Sequence, residues 1–192
     1  MSKKRAKEPT AVGLYGIMRV SAYAGEDKKL VFRQIVKNQI TNDGRSAVLD
    51  LLGQVPVGGG GTEWQENPTY NMIWSLAVGT GSTPPTLDDK TLGNQVWIGV
   101  FDPLTTERER LFEPVWALQV SKTIPAGTLT GSIITEAGIF TRGDNDDPAL
   151  AEIVPPIGAG YRRLYARQVH DPITKTVEMS LVYDWKLGVT II

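Results

Sequence analysis

Apolar positions along this chain recur mostly with a period of two, the spacing of strands, and only once with the spacing of a helix. Val12 to Tyr23 is β-prone, with glycines that mark bends or close packing. Gly25-Glu26-Asp27 supplies a turn, and Leu30 to Val36 returns as a second strand, so the pair predicts an antiparallel hairpin. Thr41-Asn42-Asp43-Gly44 offers N-cap residues. Ala47, Val48, Leu49, Leu51 and Leu52 then follow, and Gly53 stands at a C-cap position. This stretch predicts one helix of about three turns.

Further strands are expected over Met72 to Val78, Val96 to Phe101 and Arg110 to Val120, the last with Pro114 as an edge or bulge. Pro84 to Gly93 reads as a short helical or turn segment. The final third predicts strands over Thr128–Thr135, Gly138–Thr141, Ala149–Val154, Tyr161–Val169 and Thr176–Tyr183, separated by Gly, Pro, Asn and Asp turns. The expected fold is mainly β: an antiparallel sandwich or barrel with one short helix inserted near residues 42–53. Residues 1–9 form a basic arm, and 10–192 one β-rich domain with a Gly-rich loop at 56–70.

Composition narrows the function classes. A chain of 192 residues, 41% hydrophobic, is long enough for one buried core. Its net charge of -1 argues against a general nucleic-acid surface. No apolar run approaches the roughly 20 residues that span a bilayer. The basic start is followed by Glu8-Pro9 rather than an apolar stretch, so it does not read as a signal peptide. The absence of Cys removes disulfides, thiolate nucleophiles and Cys-based zinc sites.

Candidate chemistry is sparse. His170 is the one imidazole, and it reads as a turn residue closing a strand before Asp171-Pro172. Asp171 lies on the opposite face from its neighbour and is badly placed to orient that ring. Asp144, Asp146 and Asp147 make an acidic loop that could attract calcium, yet they lack the Gly and terminal Glu of an EF-hand and read first as a hairpin tip. Val78-Gly79-Thr80-Gly81-Ser82 has the look of a phosphate loop without its Lys, and Pro84-Pro85 stands where a helix would open. Asp88 and Asp89 are adjacent and diverge. Five Trp residues could stack on sugars but more often anchor cores or interfaces. No catalytic residue, cofactor or firm metal site is expected.

Four segments, in order, carry a family resemblance. They are Asn38 to Arg45 leading into the helix; Leu76 to Gly81 with Pro84-Pro85 and Leu92-Gly93-Asn94; Ile134 to Phe140; and Leu164 to Arg167 through Pro172–Lys175 to Leu181–Trp185. Together they cover most of residues 36 to 192, and the order resembles that of structural proteins of tailed bacteriophages, in the tail, neck or baseplate. The resemblance implies a β-rich, non-enzymatic virion protein, a connector, collar or fibre anchor. It further implies a trimer or ring that meets portal, tail, collar or capsid subunits, and no membrane or specific nucleic acid. A fibre protein would continue into a shaft; here the chain ends at Ile192, which fits an anchoring module. A capsid decoration protein is the alternative, and a host-surface glycan-binding module a further one. The arm residues Lys3, Lys4, Arg5 and Lys7, with Gly59, Gly60 and Trp64 of the flexible loop, are the expected intersubunit contacts.

Overall fold

A computed structural model describes residues 12–53, 73–101, 107–112, 115–141 and 162–191. The elements in chain order are β1 (Val12–Ala24), β2 (Lys29–Lys37), β3 (Gln39–Ile40), α1 (Asn42–Gly53), β4 (Ile73–Gly79) and β5 (Gln95–Val100). β6 (Glu107–Phe112), β7 (Val115–Ile124), β8 (Ile133–Thr141), β9 (Leu164–Thr174) and β10 (Ser180–Ile191) complete it. They make two five-stranded antiparallel sheets, in the orders β2-β1-β10-β7-β6 and β3-β9-β8-β4-β5. The two sheets keep separate edges, so the fold is a sandwich rather than a closed barrel.

The period-two pattern explains the packing. Cross-strand partners on β1 and β10 pair Met18 with Trp185, Val20 with Tyr183 and Ala22 with Leu181, and all six side chains are fully buried. Val120 and Ile124 extend this inner face, and Leu76, Val78, Ile134, Ile139, Ala166 and Ile173 meet it from the other sheet. Fully burying such side chains is worth about 1.5–3 kcal/mol each. A second, smaller cluster of Ala77, Leu92, Ile98, Phe140 and Leu164 lies on the outer side of the second sheet. Among the described residues, the extra apolar layer lies on the outer side of the second sheet.

The first hairpin forms as expected, with Gly25 (φ 73°) and Lys28 (φ 48°) turning the chain in the left-handed region. The helix spans Asn42–Gly53, within one residue of its sequence signals. Three expectations are corrected. The single strand over 110–120 is instead two, β6 and β7, paired antiparallel. Residues 125–132 are turns, with positive φ at Gly127, Leu129 and Gly131, and the strand starts only at Ile133. From there it runs unbroken through Gly138, joining two expected strands into one. Residues 84–93, expected as a short helical or turn segment, are turn and bend. The expected strand over Ala149–Val154 lies outside the described residues.

One end of the sandwich is tied by turns. Gly127 donates to the Val177 carbonyl at 2.8 Å, Gly131 to Lys175 at 2.8 Å and Lys175 to Ser132 at 2.9 Å. The Lys175 side chain is buried beneath them and donates to the carbonyls of Pro125, at 3.0 Å, and Met179. Burial lowers the pKa of its ammonium. The opposite end is where β1, β4 and β9 begin and where β5, β8 and β10 end.

Candidate functional site

The most elaborate polar feature sits where residues 80–94 cross the outer face of the second sheet. On β8, Glu136 and Phe140 are buried and Gly138 lies between them. A Cβ at Gly138 would come within 2.8 Å of Leu92 Cδ2 and 2.9 Å of Leu164 Cδ1. Its absence is what lets Leu92 seat against the sheet. With Leu92 seated, the crossing segment covers Glu136, a carboxylate that needs partners once taken from water.

Those partners are unusually complete. Glu136 Oε1 accepts the backbone N–H groups of Gly81 at 2.9 Å and Asn94 at 2.8 Å, and Oε2 accepts that of Gly93 at 3.0 Å. Arg167 on β9 adds a forked contact to Oε2, from Nε at 2.9 Å and Nη2 at 2.8 Å. Its Nη1 reaches Asp89 Oδ2 at 2.8 Å, so one guanidinium joins two carboxylates. Asp89 also accepts from the Thr86 N–H and hydroxyl, closing its own turn. Thr135 donates to the Gly81 carbonyl at 2.8 Å and fastens the segment from its other side.

Burial alone would raise the pKa of Glu136, but the Asn94, Gly93 and Gly81 amides and the Arg167 guanidinium outweigh it and hold the carboxyl below its ordinary range. Asp89 is likewise lowered: the Thr86 and Arg167 contacts overcome a desolvation cost. Burial works against the Arg167 charge, and the two carboxylates reverse this and raise its pKa. Every group is thus held ionised, and Glu136 is surrounded by donors. A carboxylate so placed is a poor general base.

The helix joins the same construction. Thr41 caps α1, accepting the Gly44 N–H at 3.1 Å, while its hydroxyl donates to the carbonyl of Leu164. Gly44 lies so close to β9 that a Cβ there would sit 2.1 Å from the Tyr165 carbonyl oxygen. Asn42 N–H donates to the Leu87 carbonyl at 2.8 Å, and its side chain to Asp88 at 2.9 Å. The helix start, the crossing segment, β8 and β9 are therefore one linked unit.

Compared with known proteins, this chain matches no family model, no curated protein and no solved structure. Its own geometry must carry the functional reading.

The glycine segment resembling a phosphate loop does present amides to an anion, and the anion is the protein's own Glu136. Gly81 is needed there because a Cβ would lie 2.4 Å from Glu136 Oε1. Neither Glu136 nor Arg167 stood out as chemistry in the sequence. The signal was present in their segments, Thr135-Glu136-Ala137-Gly138 and Leu164-Tyr165-Ala166-Arg167, a charge set inside each apolar run. Asp88 and Asp89 do diverge, one to the helix and one to Arg167.

His170 corrects the expectation of a strand-ending turn residue. β9 runs on to Thr174, and the ring is buried, with Nε2 3.0 Å from the Tyr183 hydroxyl and Nδ1 2.8 Å from the Asp171 carbonyl. Asp171 itself is exposed, as alternation along the strand requires. Burial pushes the His170 pKa down, favouring the neutral ring, and pushes that of Tyr183 far up. The expected intersubunit residues Lys3, Lys4, Arg5, Lys7, Gly59, Gly60 and Trp64, and the acidic Asp144, Asp146 and Asp147, lie outside the described residues. Among the described residues, no group of three or more His, Asp or Glu is placed to hold a metal, and no helix is long and apolar enough to cross a membrane.

Proposed function

We propose that this chain is a non-enzymatic structural protein of a tailed-bacteriophage virion, an oligomeric connector, collar or fibre-anchoring component at the tail, neck or baseplate. The observation that carries the reading is the convergence of its four family-like segments. Thr41 and Gly44 from the first, Gly81, Gly93 and Asn94 from the second, Glu136 from the third, and Leu164, Tyr165 and Arg167 from the fourth meet in the one linked unit. What these segments share is therefore a device for holding a helix and a long crossing segment rigidly on a sheet. That suits a part whose task is to keep shape under load.

The chemistry of the described interior supports the same side. Glu136 is held by three backbone amides and Arg167, Asp89 by Thr86 and Arg167, and His170 is enclosed with Tyr183. Neighbouring subunits of the portal, tail, collar or capsid are the proposed partners, and the assembled virion the proposed location.

Copy number in purified particles tests this directly, by quantitative mass spectrometry against the major capsid protein. Low tens of copies or fewer support the connector reading. Hundreds would make the chain a capsid decoration protein instead. Absence from particles would remove both and return attention to a glycan-binding role.

A further inference from the structure

Two hydrogen bonds leave neighbouring residues of β9 and cross from one sheet to the other. His170 Nε2 lies 3.0 Å from the Tyr183 hydroxyl of β10, and the Asp171 N–H donates to Gln34 Oε1 of β2 at 2.9 Å. β9 belongs to the second sheet, β10 and β2 to the first. The ring also binds its own strand, with Nδ1 2.8 Å from the Asp171 carbonyl oxygen. Asp171 is thus held at both backbone groups, by Gln34 at its N–H and by the imidazole at its carbonyl. Hydrogen-bond chemistry then fixes the tautomer. A carbonyl can only accept, so Nδ1 carries the proton, and the lone pair on Nε2 accepts from the Tyr183 O–H. Tyr183 is fully buried within the main apolar cluster. A second proton on the ring would turn Nε2 into a donor. The hydroxyl would have to rotate and accept, leaving its own proton unpaired against apolar neighbours beside a buried cation.

We infer that His170, Tyr183 and Gln34 form an acid-sensitive clasp between the two sheets, closed while the ring is neutral and released when Nε2 takes up a proton. Release frees Asp171 from the ring and loosens the Gln34 contact that ties the β2 edge to β9. The groups around the ring set the direction. Asp171 on the same strand and Glu136 on β8 are the carboxylates whose charge reaches it, and both favour protonation. Glu136 is already matched by Arg167, and burial outweighs the two carboxylates together. On β10, Asp184 and Lys186 alternate away from Tyr183 to the outward face, where Asp184 binds Arg19 of β1. On β2, Arg33 and Lys37 are exposed on alternate positions to Gln34. On α1, Asp43 pairs with Lys90 and Arg45 is exposed; β3 carries no titratable side chain. The clasp is therefore closed above the ordinary histidine value of about 6.5 and weakens as pH falls below it, where the opened form binds the proton more readily.

Proton–nitrogen NMR of the full chain, labelled at histidine, tests it, and His170 is the one imidazole to be read. At about pH 7.5 the ring should carry its proton on Nδ1. Hydrogen exchange gives the second measurement. Between about pH 6.5 and 5.5, protection of the Asp171 amide and of the β2 amides should fall about tenfold relative to β4 and β8. Gln34→Leu should lower the same protection already at neutral pH while leaving the ring in its Nδ1–H form. His170→Phe should make Asp171 protection independent of pH across that window. A neutral ring protonated on Nε2, protection that stays constant between the two pH values, or a loss shared equally by β4 and β8 would overturn the inference. So would exchange at Asp171 and β2 that Gln34→Leu leaves unchanged. The wild-type measurements stand even where a variant fails to fold, and particle copy number judges the connector reading separately.

Discussion

At the scale of single residues, the decisive group is Glu136. It is fully buried, and its two oxygens serve three amides and a guanidinium. Removing the carboxylate strands those donors, each costing about 1–3 kcal/mol when left unpaired and buried. Arg167 has fewer dependants, because Glu136 keeps its amides without it. Glu136→Leu should therefore destabilise by about 3–5 kcal/mol, and Arg167→Met by less. Urea melts of the two variants check the order; the reverse order would show the arginine, not the amide cradle, to be the centre of the unit.

His170 gives a second prediction at this scale. Its folded pKa is depressed by burial, so above the ordinary histidine value of about 6.5 both folded and unfolded states hold the ring neutral. As pH falls below that value the unfolded chain takes up a proton that the folded state resists, and stability is lost. The melting temperature should fall between about pH 6.5 and 5. His170→Phe should flatten that part of the profile in scanning calorimetry. Glu136 and Asp89, whose folded pKa values are also depressed, lose their contribution in a lower window, as pH falls through the carboxylate range. The two windows are separable because only the upper one belongs to histidine.

At the scale of elements, the start of the helix is fixed by close contacts to β9 and by its cap. Gly44 stands directly against the Tyr165 carbonyl. Gly44→Ala should force α1 away from β9 and destabilise the fold by about 1–3 kcal/mol, the usual range for overpacking, although alanine is the better helix former. Thr41→Ala should cost about 1 kcal/mol through the lost cap. Hydrogen exchange at the α1 amides reads both: protection should fall in the helix while the β1–β10 pair keeps its own. Uniform loss across the sheets would mean instead that α1 is integral to the core.

At the scale of the whole molecule, one continuous apolar cluster spans both sheets. Unfolding should therefore be a single cooperative transition, with near- and far-ultraviolet circular dichroism changing together. Separate transitions would show that the sheets hold themselves independently. The open edges of the first sheet belong to this scale too. The nine-residue β2 edge leaves Val31 and Ile35 exposed, a liability for an isolated sandwich.

Local chemistry in the sequence was enough for the class of fold, the first hairpin and the helix, because period-two alternation, turn residues and an N-cap act within a few residues of each other. It misplaced elements where the signal was double-edged. The run from Thr128 has strand composition although its residues turn. Adjacency in the chain described Asp171 correctly but said nothing of Tyr183, which meets His170 from another sheet. Only the tertiary structure decided between sandwich and barrel, since closure depends on which edges meet. It alone joined Glu136 to amides 42 to 55 residues away, a contact that exists because Gly138 leaves room for Leu92. The sequence sets what each segment is able to pair with; three-dimensional packing sets which partner takes the place of water.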